Sequence, residues 1–230
     1  IDLSQAKVVV LDEADRMVEM GFIDDVEKIL KSCPKKRQTM LFSATLYEPT
    51  KKIAQRYMNN PKVVHATKMV DPAKLKQSYY QVTPRFKKEL LVHLVKKEKS
   101  DLVMIFCNTR QATDMIYKVL KHNSIKTAPI HGGLTQSVRL KTIDLFNHGK
   151  FQVLVCTDVA ARGLHIEGVS HIYNYDMPKD PSDYIHRIVR TARAGKHGLV
   201  INILAPRDQK NFSKLVSVHR EFKIQKEEGP

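Results

Sequence analysis

The sequence has little cysteine, little glycine or proline, and no long apolar run. Cys33, Cys107 and Cys156 are odd in number, far apart and without CxxC spacing. That argues against a disulfide framework or a zinc site and for three small core thiols in a reducing compartment. Nine Gly and ten Pro, against 42% hydrophobic residues, exclude collagen-like and disordered chains and leave ample material for a core. No stretch reaches the roughly 18–20 apolar residues of a membrane-spanning helix, and Ile1-Asp2-Leu3-Ser4 has no basic-then-apolar leader pattern. No membrane partner is expected. Acidic residues are also in deficit, 24 Asp and Glu facing 39 Lys and Arg for a formal charge of +15, which suits a polyanionic partner.

What is present is alternation. Short Val/Ile/Leu-rich runs at residues 8–11, 39–42, 102–106, 128–130, 153–156, 171–174 and 200–204 are separated by stretches of helical periodicity at 24–31, 49–57, 85–97, 112–122, 136–146, 181–188 and 208–218. Parallel strands buried on both faces, with crossover helices between them, have this pattern, so the fold class is α/β. Phe86, Leu90, Leu91, Leu94 and Val95 are spaced as one buried stripe. Residues 66–76, polar and Pro-containing, read as a linker between a first lobe (1–65) and a second (77–216), and 217–230 reads as a frayed basic and polar tail. The first lobe is too small for a doubly wound sheet and is expected to lack its N-terminal part. The second is expected to be complete.

Val8-Val9-Val10-Leu11 runs into Asp12-Glu13-Ala14-Asp15, which sets carboxylates where an open α/β sheet has its ligand crevice, beyond the carboxyl ends of its strands. Magnesium takes hard oxygen ligands and keeps several waters, so one carboxylate can hold it while a neighbour orients a water. A plain acidic helix N-terminus is the competing reading. A second strand ends in Ser43-Ala44-Thr45, bringing hydroxyls to the same edge.

With these two motifs the chain resembles the DEAD-box helicases of the superfamily 2 RNA helicases. Residues 8–17 with Gly21-Phe22 are similar to the family's Walker B motif and the helix after it, and Ser43-Ala44-Thr45 to the motif coupling hydrolysis to unwinding. The resemblance continues through Asn108-Thr109-Arg110, His131-Gly132-Gly133 with Gln136 and Arg139, residues 156–164 and His186 to Gly195. It implies two RecA-like lobes closing on ATP and Mg2+ at their interface while RNA lies across both. Asp12 would hold Mg2+ through water and Glu13 would orient or deprotonate the attacking water. Arg190 and Arg193 would be γ-phosphate fingers, a role worth about 10³–10⁵ in rate. Gly163 and His165 would lie near the nucleotide, while Asp15, Ser43, Thr45, His186 and Arg187 would couple closure to chemistry. RNA would be held sequence-independently, by backbone and sugar, at Asn108, Thr109, Arg110, Gly132, Gly133, Gln136, Arg139, Thr157, Asp158 and Arg162. Few aromatics sit near these motifs, so base stacking is expected to be minor. A regulatory protein partner and a cytoplasmic setting, or a nuclear one in a eukaryote, are further expectations.

Three departures from the family pattern stand out. No GxxxxGK[ST] phosphate loop occurs, so the chain alone is expected to be inactive toward ATP, the missing segment being expected in cis. His165 replaces the usual Asp. Val189 replaces the usual Gly, and if that position needed φ > 0 or close backbone approach, Val189→Gly would raise RNA-stimulated ATPase. The alternative reading is a non-catalytic RNA-binding or interaction protein derived from a helicase.

Overall fold

A computed structural model describes the chain except at residues 44, 45, 47, 66–74, 99, 163–165, 167, 193–196 and 230. The chain divides into two compact units, Ile1–Ala66 and Thr67–Pro230. In the first, β1 (Val8–Leu11) and β2 (Gln38–Leu41) pair in parallel, with α1 (Ala14–Glu19), α2 (Ile23–Lys31) and α3 (Glu48–Tyr57) around them. Leu11, Ala14, Val26, Leu30 and Ile53 form its core. Val8 and Val10, on the opposite strand face, stay exposed.

The second unit is a seven-stranded parallel sheet. In chain order its strands are β3 (Leu75–Gln81), β4 (Leu102–Phe106), β5 (Thr127–Ile130), β6 (Val153–Cys156), β7 (Val169–Asn174), β8 (Gly198–Leu204) and β9 (Ile224–Glu227). They lie side by side as β5-β6-β4-β7-β8-β3-β9. Its helices are α4 (Lys87–Lys97), α5 (Arg110–His122), α6 (Gln136–Asn147), α7 (Asp158–Ala161), α8 (Pro181–Ile188) and α9 (Gln209–Val218). Alternation along each strand supplies two cores. Met104, Phe106, Leu154 and Cys156 pack on one face, and Val103, Ile105, Val153 and Val155 on the other. A strand buried on both faces must be apolar at every position, which is why these segments read as unbroken hydrophobic runs.

The α/β class stands, and three expectations do not. Leu75 and Lys76, assigned to a linker, begin β3, which pairs with β8 along its whole length. The expected frayed tail carries structure: Val218 ends α9, and Ile224–Glu227 pairs in parallel with β3. Both strands carry polar residues that a hydropathy pattern rejects, yet Gln77 and Ser78 are buried because Gln77 Oε1 accepts from Tyr184 Oη (2.7 Å) and the Ser78 carbonyl accepts from Asn202 Nδ2 (2.9 Å). Phe86 is half exposed at the end of a 3₁₀ turn (Pro84–Phe86), outside the stripe that buries Leu90, Leu91, Leu94 and Val95.

Candidate functional site

In the first unit the two motif strands are joined at their carboxyl ends. The Phe42 N–H donates to the Leu11 carbonyl (2.7 Å) and the Ala14 N–H to the Phe42 carbonyl (3.0 Å), extending the pairing past the strands. Asp15 is buried, and its N–H donates to Ser43 Oγ at 3.2 Å. Two expected coupling residues therefore meet; Thr45 lies outside the described residues. Asp12 is exposed, and one carboxylate oxygen accepts the Glu13 N–H (2.9 Å). Glu13 holds φ 51° and ψ 45°, a left-handed conformation that costs a non-glycine residue of order 1 kcal/mol and is enriched at functional sites. Among the described residues no group of three or more His, Cys, Asp or Glu forms a metal cage. One exposed carboxylate fits a largely hydrated Mg2+, which needs no such cage.

In the second unit the motifs converge on Arg187, which is fully buried and uses all five of its N–H donors. Nε and Nη2 grip the Asp158 carboxylate (2.6 and 2.8 Å). Nη1 donates to Asn174 Oδ1 (2.9 Å) and the Asp176 carbonyl (2.7 Å), and Nη2 also donates to Asn108 Oδ1 (3.0 Å). The guanidinium stacks over Phe106 at 5.0 Å. Burial alone would disfavour the cation, but Asp158 first, then Cys156 and Asp183, hold its pKa above the ordinary value. The network continues. Asp176 Oδ2 accepts the Asn108 N–H (3.1 Å), and Asp176 Oδ1 accepts Arg207 Nη2 (2.7 Å). Buried Lys87 bonds Asp208 Oδ2 at 2.6 Å and lies 3.8 Å from Asp176.

The remaining motif residues have local partners. Thr109 caps α5, its hydroxyl accepting the Ala112 N–H (3.1 Å) while keeping its own proton to donate. Exposed Arg110 lies beside Gly132, where a Cβ would stand 3.2 Å from Nη2. His131 Nδ1 accepts the Gly133 N–H (3.1 Å), which puts the ring proton on Nε2, facing Asp114 Oδ1 at 3.1 Å. Arg139 bonds Gln136 Oε1 (2.9 Å) and the Ala160 carbonyl (3.1 Å), tying α6 to α7. Thr157 is buried, and Arg162 is paired with Asp183. His186 and Arg190 are partly exposed. Val189 has φ −67°, a conformation any residue adopts, so the positive-φ ground for a glycine there does not hold. Three residues on, Ala192 is left-handed, at φ 54°. Gly163, His165 and Arg193 lie outside the described residues.

The parallel sheets, with carboxylates, hydroxyls and a buried arginine network at the carboxyl ends of their strands, define an α/β protein of the RecA-like class. Residues 86–195 match the helicase conserved C-terminal domain, and residues 1–53 match the DEAD/DEAH box helicases. The chain belongs to the DEAD-box helicase family. It is 40% identical over 231 residues to the ATP-dependent RNA helicase CshA of Listeria monocytogenes, covering 100% of this chain and 44% of that protein. It is 43% identical over 210 residues to CshA of Bacillus subtilis, covering 91% and 42%. The chain thus spans less than half the length of these curated relatives. Among solved structures, Saccharomyces cerevisiae Dbp5 bound to RNA and ADP BeF3 matches with TM-score 0.88 at 29% identity, over 99% of this chain and 61% of that one. Escherichia coli SrmB bound to regulator of ribonuclease activity A matches with TM-score 0.64 at 35% identity, over 67% and 91%.

Sequence reading missed Lys87, Asn174, Asp176, Ala192 and Asn202. For Asp176 a signal existed: like Asp12 and Asp158, it is a carboxylate just past a strand end.

Proposed function

We propose that this chain forms part of an ATP-dependent RNA helicase in which RNA-stimulated ATP hydrolysis, at the interface of two RecA-like lobes of the intact protein, drives local unwinding or remodelling of RNA. One observation carries the reading: a single buried arginine, Arg187, locks the strand-end loops at Asn108, Asp158 and Asp176 into one rigid surface. In the reaction, Asp12 would hold Mg2+, which would supply neutralisation of the phosphate charge. Glu13 orients the attacking water, and Arg190 and Arg193 supply charge to the transferring phosphoryl group. Asn108, Thr109, Arg110, Gln136 and Arg139 hold the RNA backbone, and Asp158 and Arg162 act through the protein groups they grip. The relaxed backbone of Val189 removes one reason to prefer a decayed, non-catalytic binder.

The test is ATP turnover of the intact protein with and without RNA. RNA should stimulate turnover, and Arg190→Ala should lower it by about 10³ or more. Turnover indifferent to RNA, or unchanged in Glu13→Gln, would refute the assignment.

A further inference from the structure

In a parallel sheet every strand points its carboxyl end to the same edge, so the strand order is also a map of that edge. Reading across the second unit, the residues expected to touch RNA follow β5 (Gly132, Gly133), β6 (Thr157) and β4 (Asn108, Thr109, Arg110). The edge does not stop at β4. The next three strands are β7, β8 and β3, and the segments leaving them carry Lys179, then Arg207, then Arg85 and Phe86, all exposed. Arg207 is held by Asp176 at 2.7 Å, and the other oxygen of that carboxylate accepts the Asn108 N–H, so the two halves of the edge share one carboxylate. Buried Lys87, the residue after Phe86, bonds Asp208, the residue after Arg207, which fixes the β3 end beside the β8 end. The Arg85 guanidinium lies over the Phe86 ring at 5.5 Å, and half of Phe86 remains exposed. An aromatic on a surface turn with a basic neighbour over it has little to do in a core and is suited to stacking a base while the cation meets a phosphate.

We infer that the single-stranded RNA track continues past the family's motifs along β7, β8 and β3, with Lys179, Arg207 and Arg85 meeting phosphates and Phe86 stacking a base. This extension rests on the RNA-binding reading above. Three further strand spacings add about 14 Å of edge, enough for a few nucleotides of extended strand. Asp176 and Asp208, which bind basic side chains at this edge, are buried, and half-exposed Asp180, next to Lys179, lies 3.7 Å from Lys214, so exposed cations outnumber carboxylates on these segments. Phe86, outside the family's motifs, would then add one position of base stacking.

The test is anisotropy of a labelled oligouridylate titrated with the 230-residue chain at several KCl concentrations. Phe86→Ala should weaken binding about tenfold, and Phe86→Trp should restore it. Arg85→Ala should lower the salt-dependence slope by about 0.7, the value of one single-strand phosphate contact. Both side chains are exposed, so the fold should survive their loss. Parent-like affinity in Phe86→Ala and Arg85→Ala, with weaker binding in Arg139→Ala, would overturn the extension while sparing the motif site, and would leave the patch to a protein partner. No binding by the parent chain would overturn the RNA reading itself.

Discussion

At Ala192 the main chain takes φ 54° next to Thr191, whose buried hydroxyl donates to the Val169 carbonyl (2.7 Å). Gly198 backs against this turn so closely that a Cβ there would stand 2.8 Å from the Ala192 nitrogen. The turn that follows α8 and Arg190 is thus pinned from two sides, and the pinning holds alanine in a left-handed conformation. Ala192→Gly should raise stability by about 1 kcal/mol, read as a higher urea midpoint at unchanged m-value. The buried thiols also behave individually. Burial, with Asp176 acting on Cys107 and Asp158 on Cys156, pushes both thiols up, so neither forms thiolate near neutral pH. Mass spectrometry after iodoacetamide treatment should find Cys107 and Cys156 unmodified in the native chain and alkylated once it is denatured.

Between elements, the polar network at the carboxyl edge replaces apolar packing. Arg187→Met should destabilise the second unit by about 3–5 kcal/mol, because it leaves Asp158 and several buried acceptors without their donors. Arg187→Lys should recover little of that, since an ammonium cannot reproduce the fork. Calorimetry of the three proteins checks both statements. On β7, burial lowers the His171 pKa, with Glu98 and Asp101 opposing it. The folded pKa therefore lies below the unfolded one, the native state binds fewer protons in the interval between them, and stability should fall as pH drops through about 6.5. The part of that loss due to His171 should disappear in His171→Gln, measured by urea unfolding at paired pH values.

For the whole molecule, the two units differ in how much core they own. The first rests on Leu11, Ala14, Val26, Leu30 and Ile53 beneath a two-stranded sheet with one apolar face exposed, whereas the second closes both faces of seven strands. A two-stranded sheet is marginal by itself. Amides of Val8–Leu11 should therefore exchange with deuterium well before those of Leu102–Phe106, and equal protection would refute this. The 230-residue chain, which has no GxxxxGK[ST] loop, should show no ATP turnover even with RNA present.

Much of this was legible from the sequence. Strands buried on both faces must be apolar throughout, so β4 and β6 could be bounded to the residue, and the equally apolar run of β1 was bounded as well although one of its faces is exposed. Carboxylates and hydroxyls just beyond strand ends marked the candidate site, because that edge is where such sheets bind ligands. Other features were decided only by tertiary structure. β3 and β9 are polar strands that pair with each other across 147 residues, Gln77 opposite Ile224, and β3 is also held by the bond from Asn202 to Ser78 across 124. Asp158, whose local pattern names no partner, is gripped by Arg187 from 29 residues away. Local pattern reports which residues can be buried. Which buried polar group finds which partner depends on contacts between segments distant in sequence, and only the folded chain brings those together.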